Sequence, residues 1–175
     1  MNSKYKNILG VIGVVLITLV INKFSIFIAY IPSSSMVPTL NPGDRLVATR
    51  VYEPSNLKRG DIVIFKSDEL KETLIKRLIG LPGDEIKIEG TSVYVNGEKI
   101  EEPYVKNNMD FEGEYKVPEG RYFFLGDNRS DSYDSRFWKE PYIKGNTIIG
   151  KAQFKIWPLK DIGFLSSRKK NSKII

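Results

Sequence analysis

The 175-residue chain contains no histidine and no cysteine. The absence of cysteine excludes a disulfide scaffold, a thiolate nucleophile and the common zinc sites. The absence of histidine means that imidazole cannot activate a nucleophilic serine. Its base would have to be a carboxylate, the N-terminal amine or a lysine. A hydrolytic site in this chain is therefore restricted to a small set of side chains.

The chain also lacks acidic residues over its first 43 positions. Its net charge of +6 comes from the two ends, because residues 31–167 contain 20 basic and 21 acidic side chains. Nucleic-acid binding requires a basic face on the folded body, which a near-neutral body does not favour. Basic ends suit anionic lipid headgroups better. The charge pattern therefore favours a lipid bilayer over a nucleic acid as partner.

After Pro38 the chain lacks long segments with helical periodicity and lacks an internal repeat. It contains short apolar runs, several with period two, separated by glycine or proline. Asn96-Gly97 between two such runs is a strong hairpin signal. The sequence predicts a mainly β fold, a coiled barrel or sandwich of short strands with a small polar lobe or loop at about 101–119.

The N-terminal segment Ile8–Ile21 carries no charge. Alone it would span about 21 Å, but continuation to Tyr30 gives about 23 residues, enough for a hydrocarbon core of about 30 Å. Lys4 and Lys6 favour a cytoplasmic N-terminus. The alternative is a cleaved signal peptide, although no Ala-x-Ala site follows the segment. The predicted regions are a cytoplasmic N-terminus at 1–7, one transmembrane helix at 8–30, an extracytoplasmic domain at 31–167 and a basic tail at 168–175.

Ser35 and Lys76 are the candidate nucleophile and base. Ser35 follows the apolar segment within a serine-rich stretch, and Lys76 alternates with Leu74 and Leu78 in a strand-like run. Desolvation by apolar neighbours disfavours the charged form of a lysine, and a neutral lysine can act as a general base. Each residue also has an ordinary interpretation, the serines as a linker between membrane and domain and Lys76 as a surface lysine.

The loop Gly126–Arg136 is rich in Asp, Asn and Ser. It fits a tight loop with side-chain-to-backbone hydrogen bonds. It also fits a calcium loop, although it lacks the EF-hand glycine and terminal glutamate. A third interpretation is a buried polar network in which Asp134 pairs with Arg136 while Ser132 points at a partner. The residues of the loop alone leave all three interpretations open.

Five blocks follow the N-terminal segment in order: Pro32-Ser33-Ser34-Ser35-Met36-Val37-Pro38-Thr39-Leu40, Gly43-Asp44-Arg45-Leu46-Val47, Arg59-Gly60-Asp61-Ile62-Val63-Ile64-Phe65, Lys76-Arg77-Leu78-Ile79-Gly80-Leu81-Pro82-Gly83-Asp84, and Gly126-Asp127-Asn128-Arg129 with Ser132 and Asp134-Ser135-Arg136. Taken together, these segments resemble the type I signal peptidases, membrane-anchored serine proteases that remove signal peptides from exported proteins. The resemblance covers most of the chain, which is similar to the single-span form of Gram-positive bacteria.

The resemblance implies a role for each matching residue. Ser35 would be the nucleophile and Lys76 its general base. The Ser33 hydroxyl and the Ser35 backbone N–H would form the oxyanion hole, and Ser132 would orient the Lys76 amine. Two further residues would form a supporting ion pair, Asp134 and Arg136. Four apolar residues would line shallow pockets for the substrate, Ile31, Met36, Leu40 and Ile75.

The resemblance also implies a substrate and a location. Signal peptides of secreted preproteins would be cut after small residues at −1 and −3, without cofactor or metal, by a domain on the outer side of the cell membrane. Two departures from the family pattern, Ser130-Asp131 and Lys139, lie outside the dyad. The sequence does not indicate an oligomeric state.

Two other functions remain open at this point. One is a self-cleaving Ser-Lys protease of the repressor type, which would need a DNA-binding domain where this chain has an apolar segment. The other is an anchored, non-catalytic β-module that binds exported peptides or cell-wall components, with the serines as linker.

Overall fold

The computed structural model describes residues 3–23 and 26–165. The predicted basic tail, 168–175, lies outside the described residues, as do parts of the predicted N-terminal regions. One helix and twelve strands are found in the described part of the chain: α1 (Ser3–Lys23), β1 (Ile26–Tyr30), β2 (Arg45–Arg50), β3 (Ile62–Lys66), β4 (Thr73–Gly80), β5 (Glu85–Gly90), β6 (Ser92–Val95), β7 (Glu98–Lys99), β8 (Phe111–Lys116), β9 (Arg121–Leu125), β10 (Tyr142–Lys144), β11 (Ile148–Trp157) and β12 (Gly163–Phe164).

The strands form two antiparallel sheets. The larger sheet has the order β1-β2-β11-β3-β4-β9-β10, with β12 paired to β11, and the smaller has the order β7-β6-β5-β8. The predicted mainly β fold is therefore confirmed. The smaller sheet, β5–β8, is here called the small lobe. The polar stretch 101–119 is divided, because residues 111–116 form β8 of the smaller sheet.

The hairpin expected at Asn96-Gly97 joins β6 to β7. Both residues have left-handed backbone conformations, with φ of 53° and 83°, as a type I′ turn requires. The smaller sheet packs on the larger one through a shared apolar cluster, in which Ile86 and Val93 meet Ile79 and Phe123. This packing places the small lobe beside β4 and β9, the strands that carry part of the candidate site.

The predicted helix over 8–30 is wrong at its C-terminal end. Helix α1 ends at Lys23, and Ile26–Tyr30 forms the edge strand β1, paired with β2. The segment alternates in burial, with Phe27 and Ala29 packed on a core cluster and Ile26 and Ile28 exposed. Every residue of the segment is apolar or aromatic, so its sequence shows no polar face that would have distinguished a strand from a continuing helix.

The structure does not confirm the predicted transmembrane helix. By length and hydropathy, none of the helices within residues 3–23 and 26–165 is suited to crossing a bilayer. The apolar side chains of α1 from Ile8 to Leu19 that the structure describes are nevertheless largely exposed.

Candidate active site

Three segments of the larger sheet carry the sequence-predicted residues. Ser33 and Ser35 lie in the connection between β1 and β2, Lys76 lies on β4, and Ser132 lies in the loop between β9 and β10. The ends of the first connection are held together by hydrogen bonds of Ile31 with Asp44 and Gly43. The sheet order therefore brings sequence-distant segments into one region.

Residues 33–37, here called the serine turn, form a compact turn in which Ser35 is buried. The Val37 N–H donates to the Ser34 carbonyl at 3.0 Å, and Ser35 is only 7 % exposed. The Ser33 Oγ lies 3.4 Å from the Ser35 Oγ, at the long end of hydrogen-bond distances. The two hydroxyls that the sequence assigned to the nucleophile and the oxyanion hole are therefore neighbours.

Lys76 is a buried amine in the middle of β4. It is 4 % exposed, and its backbone pairs with Val63 on β3. No ion pair to Lys76 occurs among the salt bridges of the described residues. Burial lowers the pKa of Lys76 from 10.5 to about 8; the Asp134 carboxylate opposes this and the Arg136 guanidinium reinforces it. The lowered pKa makes the neutral amine, the form that can accept a proton, more accessible near neutral pH than it is for a solvated lysine.

Gly126 is the point at which the three segments meet. The antiparallel ladder of β4 and β9 pairs Arg77 with Leu125 and Leu78 with Phe124, and Lys76 and Gly126 are the next residues of the two segments beyond its last pair. A Cβ atom built on Gly126 would lie 2.1 Å from the Ser132 Oγ and 2.6 Å from the Ser35 carbonyl oxygen. The Ser35 backbone and the Ser132 side chain thus converge on Gly126, at the end of the ladder that contains Arg77.

Ser132 supplies a buried hydroxyl without a partner. The side chain is 5 % exposed, and its Oγ makes no hydrogen bond with the described residues. A buried hydroxyl without a partner lowers the stability of the fold, and a role in the site would explain why it is kept. Its place at Gly126 makes the hydroxyl available to an amine that approaches from β4.

Asp134 and Arg136 form a buried bidentate ion pair. Arg136 Nε donates to Asp134 Oδ1 at 2.8 Å, and Arg136 Nη2 donates to Asp134 Oδ2 at 2.9 Å. Asp134 Oδ2 also accepts from the Gly126 N–H at 2.9 Å, and Arg136 Nη2 donates to the Arg129 carbonyl at 2.7 Å. The pair therefore fixes the ends of the loop on either side of Ser132.

The sequence profile of the family described as signal peptidase, peptidase S26, matches residues 5–157. The chain belongs to the peptidase S26 family. It is accordingly a serine endopeptidase.

The S26 peptidase is similar to several proteins named signal peptidase I. It is 40% identical over 161 residues to one from Leptolyngbya laminosa, covering 86% of this chain and 78% of the relative. It is 38% identical over 174 residues to one from Bacillus licheniformis, covering 92% of each. A crystal structure of a signal peptidase I from Enterococcus faecalis is 32% identical, with a TM-score of 0.47, and covers 55% of this chain and 96% of that one.

Asn128 of the S26 peptidase holds the backbone of the serine turn, a role that the sequence did not predict. Its N–H donates to the Ser35 carbonyl at 3.0 Å, and its Nδ2 donates to the Ser34 carbonyl at 3.1 Å. The Ser34 hydroxyl in turn donates to the Asp131 carboxylate. Asn128 was visible within a family block, but contacts across more than ninety residues cannot be read from spacing.

The Gly126–Arg136 loop of the peptidase is a hydrogen-bonded network. The three acids that suggested a calcium loop are engaged separately: Asp127 binds Arg77, Asp131 accepts from Ser34, and Asp134 binds Arg136. Asp131, a departure from the family pattern, is therefore used to hold the serine turn. No group of carboxylates suited to a metal ion is found in the described ranges.

The four predicted pocket residues lie together in one core cluster. Ile31, Met36, Leu40 and Ile75 are all buried, and Met36 and Leu40 have no exposed surface. Met36 directly follows Ser35 in the chain, and Ile75 directly precedes Lys76 on β4.

Proposed function

We propose that this chain removes N-terminal signal peptides from exported preproteins, with Ser35 as nucleophile and Lys76 as general base. The observation that carries the proposal is the burial of Lys76, which lowers the pKa of its amine to about 8. A solvated lysine with a pKa of 10.5 would be almost entirely charged near neutral pH and could not accept a proton. Membership of the S26 family and the convergence at Gly126 support the same assignment.

In this mechanism the neutral Lys76 amine takes the proton of the Ser35 hydroxyl, and the Ser35 Oγ attacks the scissile carbonyl carbon. The Ser35 N–H and the Ser33 hydroxyl donate to the oxyanion of the tetrahedral intermediate. Loss of one such donor typically costs about 100- to 1000-fold in rate. The Lys76 ammonium then protonates the leaving amine, and the acyl-enzyme is hydrolysed by water that Lys76 deprotonates. Ser132 orients the amine throughout.

We also propose that the cut follows small residues at −1 and −3. Four apolar residues of one buried cluster would form the floor of the substrate pockets, Ile31, Met36, Leu40 and Ile75. These side chains are close-packed, so a large substrate side chain would have to displace core atoms, which costs about 1–3 kcal/mol. Alanine at both positions avoids that cost.

Exposed apolar groups support a working position at a lipid surface. Ile26 and Ile28 on β1 are more than 60 % exposed, and Phe164 on β12 is 85 % exposed. The register places Tyr30 and Trp157 on either side of Arg45, a row of two aromatics and a cation that suits a lipid headgroup region. We propose that this surface contacts the bilayer.

The membrane surface is tested with vesicles that contain anionic lipid. We expect Ile28→Glu to lower vesicle binding of the full chain about tenfold, because an apolar contact is replaced by a charge. Thr73→Glu, exposed at the start of β4, is the matched control and should bind as the parent does. Equal vesicle binding by all three proteins would show that this surface does not contact the bilayer.

The cytoplasmic position of 1–7 and the outer position of 31–167 remain predictions that protease protection can check.

The catalytic assignment is tested with a preprotein that has alanine at −1 and −3. We expect Ser35→Ala and Lys76→Ala to abolish cleavage without unfolding the protein. Ser55→Ala and Lys66→Ala, both exposed, are the matched controls and should cleave normally. Cleavage by folded Lys76→Ala would remove lysine from the mechanism. Activity unaffected by Ser35→Ala would favour the non-catalytic binding module, and internal cleavage of the chain itself would favour the self-cleaving type.

A further inference from the structure

The segment 101–108, here called the strap, links β7 to β8 of the small lobe and contacts the Gly126–Arg136 loop. It leaves the smaller sheet after β7 and runs along residues 127–130. The Lys106 N–H donates to the Asp127 carbonyl at 3.0 Å, and the Arg129 N–H donates back to the Lys106 carbonyl at 3.2 Å. The Ser130 N–H donates to the Asn107 carbonyl at 2.9 Å. The strap thus pairs with the loop along its backbone.

Side chains of the strap reinforce this pairing at both ends. Glu102 accepts two hydrogen bonds from the Arg129 guanidinium, at 3.1 and 2.6 Å. Asn107 Nδ2 donates to the Asn128 Oδ1 at 2.9 Å, which fixes the orientation of the Asn128 amide. That amide is the group that holds the Ser34 carbonyl. The strap therefore acts on the serine turn through one intervening residue.

Tyr104 lies at the centre of the strap, against Arg77. The Arg77 guanidinium carbon is 3.7 Å from the centre of the Tyr104 ring. Arg77 is 1 % exposed and donates to both carboxylate oxygens of Asp127, at 2.7 and 2.6 Å. Burial and the Glu102 carboxylate raise the pKa of Tyr104 well above its usual range, so its hydroxyl stays protonated and donates to Glu102 at 2.9 Å.

The Arg77–Asp127 ion pair continues the connection between β4 and β9 beyond the end of their ladder. The last pair of the ladder is Arg77 with Leu125, and Lys76 is the residue that directly precedes Arg77 on β4. Neighbouring residues of a strand point to opposite faces, so the ion pair holds the strand from the face opposite the Lys76 amine. A buried ion pair offsets its desolvation cost only when its geometry is well fixed and its remaining hydrogen-bonding groups are satisfied. Tyr104 covers this pair.

We propose that Tyr104 is a positioning residue of the peptidase, whose ring holds the Arg77–Asp127 pair and thereby sets the position of Lys76 relative to Ser35. The inference rests on the proposed Ser-Lys reaction. It assigns to the small lobe a part in catalysis, because the lobe supplies the strap. The π-face of the Tyr104 ring holds the Arg77 guanidinium, and the Tyr104 hydroxyl contributes less to this positioning.

The test compares Tyr104→Leu, Tyr104→Phe and Tyr94→Ala by steady-state preprotein cleavage. Leucine fills space but offers no π-face, so we expect kcat to fall about 10- to 30-fold, the rate ratio that corresponds to a desolvated cation–π contact. KM should stay within about twofold, because the strap lies on the face opposite the amine. Phenylalanine keeps the ring, so its kcat should stay within about threefold. Tyr94, on β6 of the small lobe, is the control and should behave as the parent does.

Two results would overturn the proposal. One is a Tyr104→Leu protein with the thermal stability and kcat of the parent. The other is a Tyr104→Phe protein as impaired as Tyr104→Leu, because the hydroxyl would then matter and the ring would not. Parallel assays of the parent and Ser35→Ala separate this failure from that of the proposed function. If the parent does not cleave, or Ser35→Ala cleaves equally, the underlying reaction is wrong; if both behave as expected, only the role of Tyr104 is in question.

Discussion

Gly126→Ala adds one methyl group at the meeting point of the catalytic segments. The new Cβ would lie 2.1 Å from the Ser132 Oγ, 2.4 Å from the Ser132 Cβ and 2.6 Å from the Ser35 carbonyl oxygen. A serine hydroxyl can rotate away, but the Ser35 carbonyl is held by the Asn128 N–H at 3.0 Å. The methyl group must therefore displace the serine turn, the loop or both.

The expected cost follows from the size of that displacement. Real Cβ contacts are essentially never shorter than 3.0 Å, so Ser132 has to move by about 1 Å. A misplacement of about 1 Å in a catalytic group costs on the order of 100-fold in rate, and overpacking costs about 1–3 kcal/mol of stability. We expect kcat for preprotein cleavage to fall at least about 100-fold, with a small loss of thermal stability.

The assay is steady-state cleavage of a preprotein, with thermal unfolding followed on the same samples. Gly163→Ala is the matched control, because a Cβ at Gly163 meets no atom within 4 Å. It should keep the activity and stability of the parent. A Gly126→Ala protein with parental kcat would show that Ser35, Ser132 and Lys76 do not depend on close approach at this residue.

Three further predictions concern the amine and its partners. Cleavage, measured as kcat/KM, should rise with pH through about 8. The Asp131 carboxylate raises the pKa of Lys76, so Asp131→Asn should move this rise to lower pH. A pH profile that Asp131→Asn leaves unmoved would contradict this. Ser132→Ala should lower kcat about 100-fold or more with KM little changed, measured on the same preprotein, since the hydroxyl orients the base; an unchanged kcat would remove Ser132 from the site. Lys76→Met should be more stable than the parent by up to about 3 kcal/mol at pH 7 in denaturant titrations, and the gap should close above about pH 10, because the folded protein binds the Lys76 proton less tightly than the unfolded chain does. A gap independent of pH would show that Lys76 is not desolvated.

The sequence was informative where local pattern decides structure. Alternation and the Asn96-Gly97 turn predicted strands and a hairpin that are present. The segment Ile26–Tyr30 was assigned to a helix because it continues an apolar run, and only its pairing with β2 makes it a strand. For a short apolar segment, periodicity cannot decide between the two when tertiary pairing supplies the partner.

In the candidate site, the sequence likewise indicates the main residues but not the contacts that hold them. Ser35, Lys76 and Ser132 stand out through motif order and the absence of histidine. The contacts that hold them, such as Asn128 on the serine turn and Tyr104 on Arg77, join residues far apart in the chain. They depend on tertiary packing, which no local pattern encodes. The burial that lowers the Lys76 pKa has the same origin.

The ionisation of Lys76 in the folded protein is the quantity to measure. The 13Cε resonance of Lys76, assigned by its absence in Lys76→Met, can be followed by NMR as pH is raised. The burial of the Lys76 amine predicts a midpoint near pH 8. A midpoint near 10.5, the value of a solvated lysine, would mean that the amine is charged at working pH and cannot deprotonate Ser35.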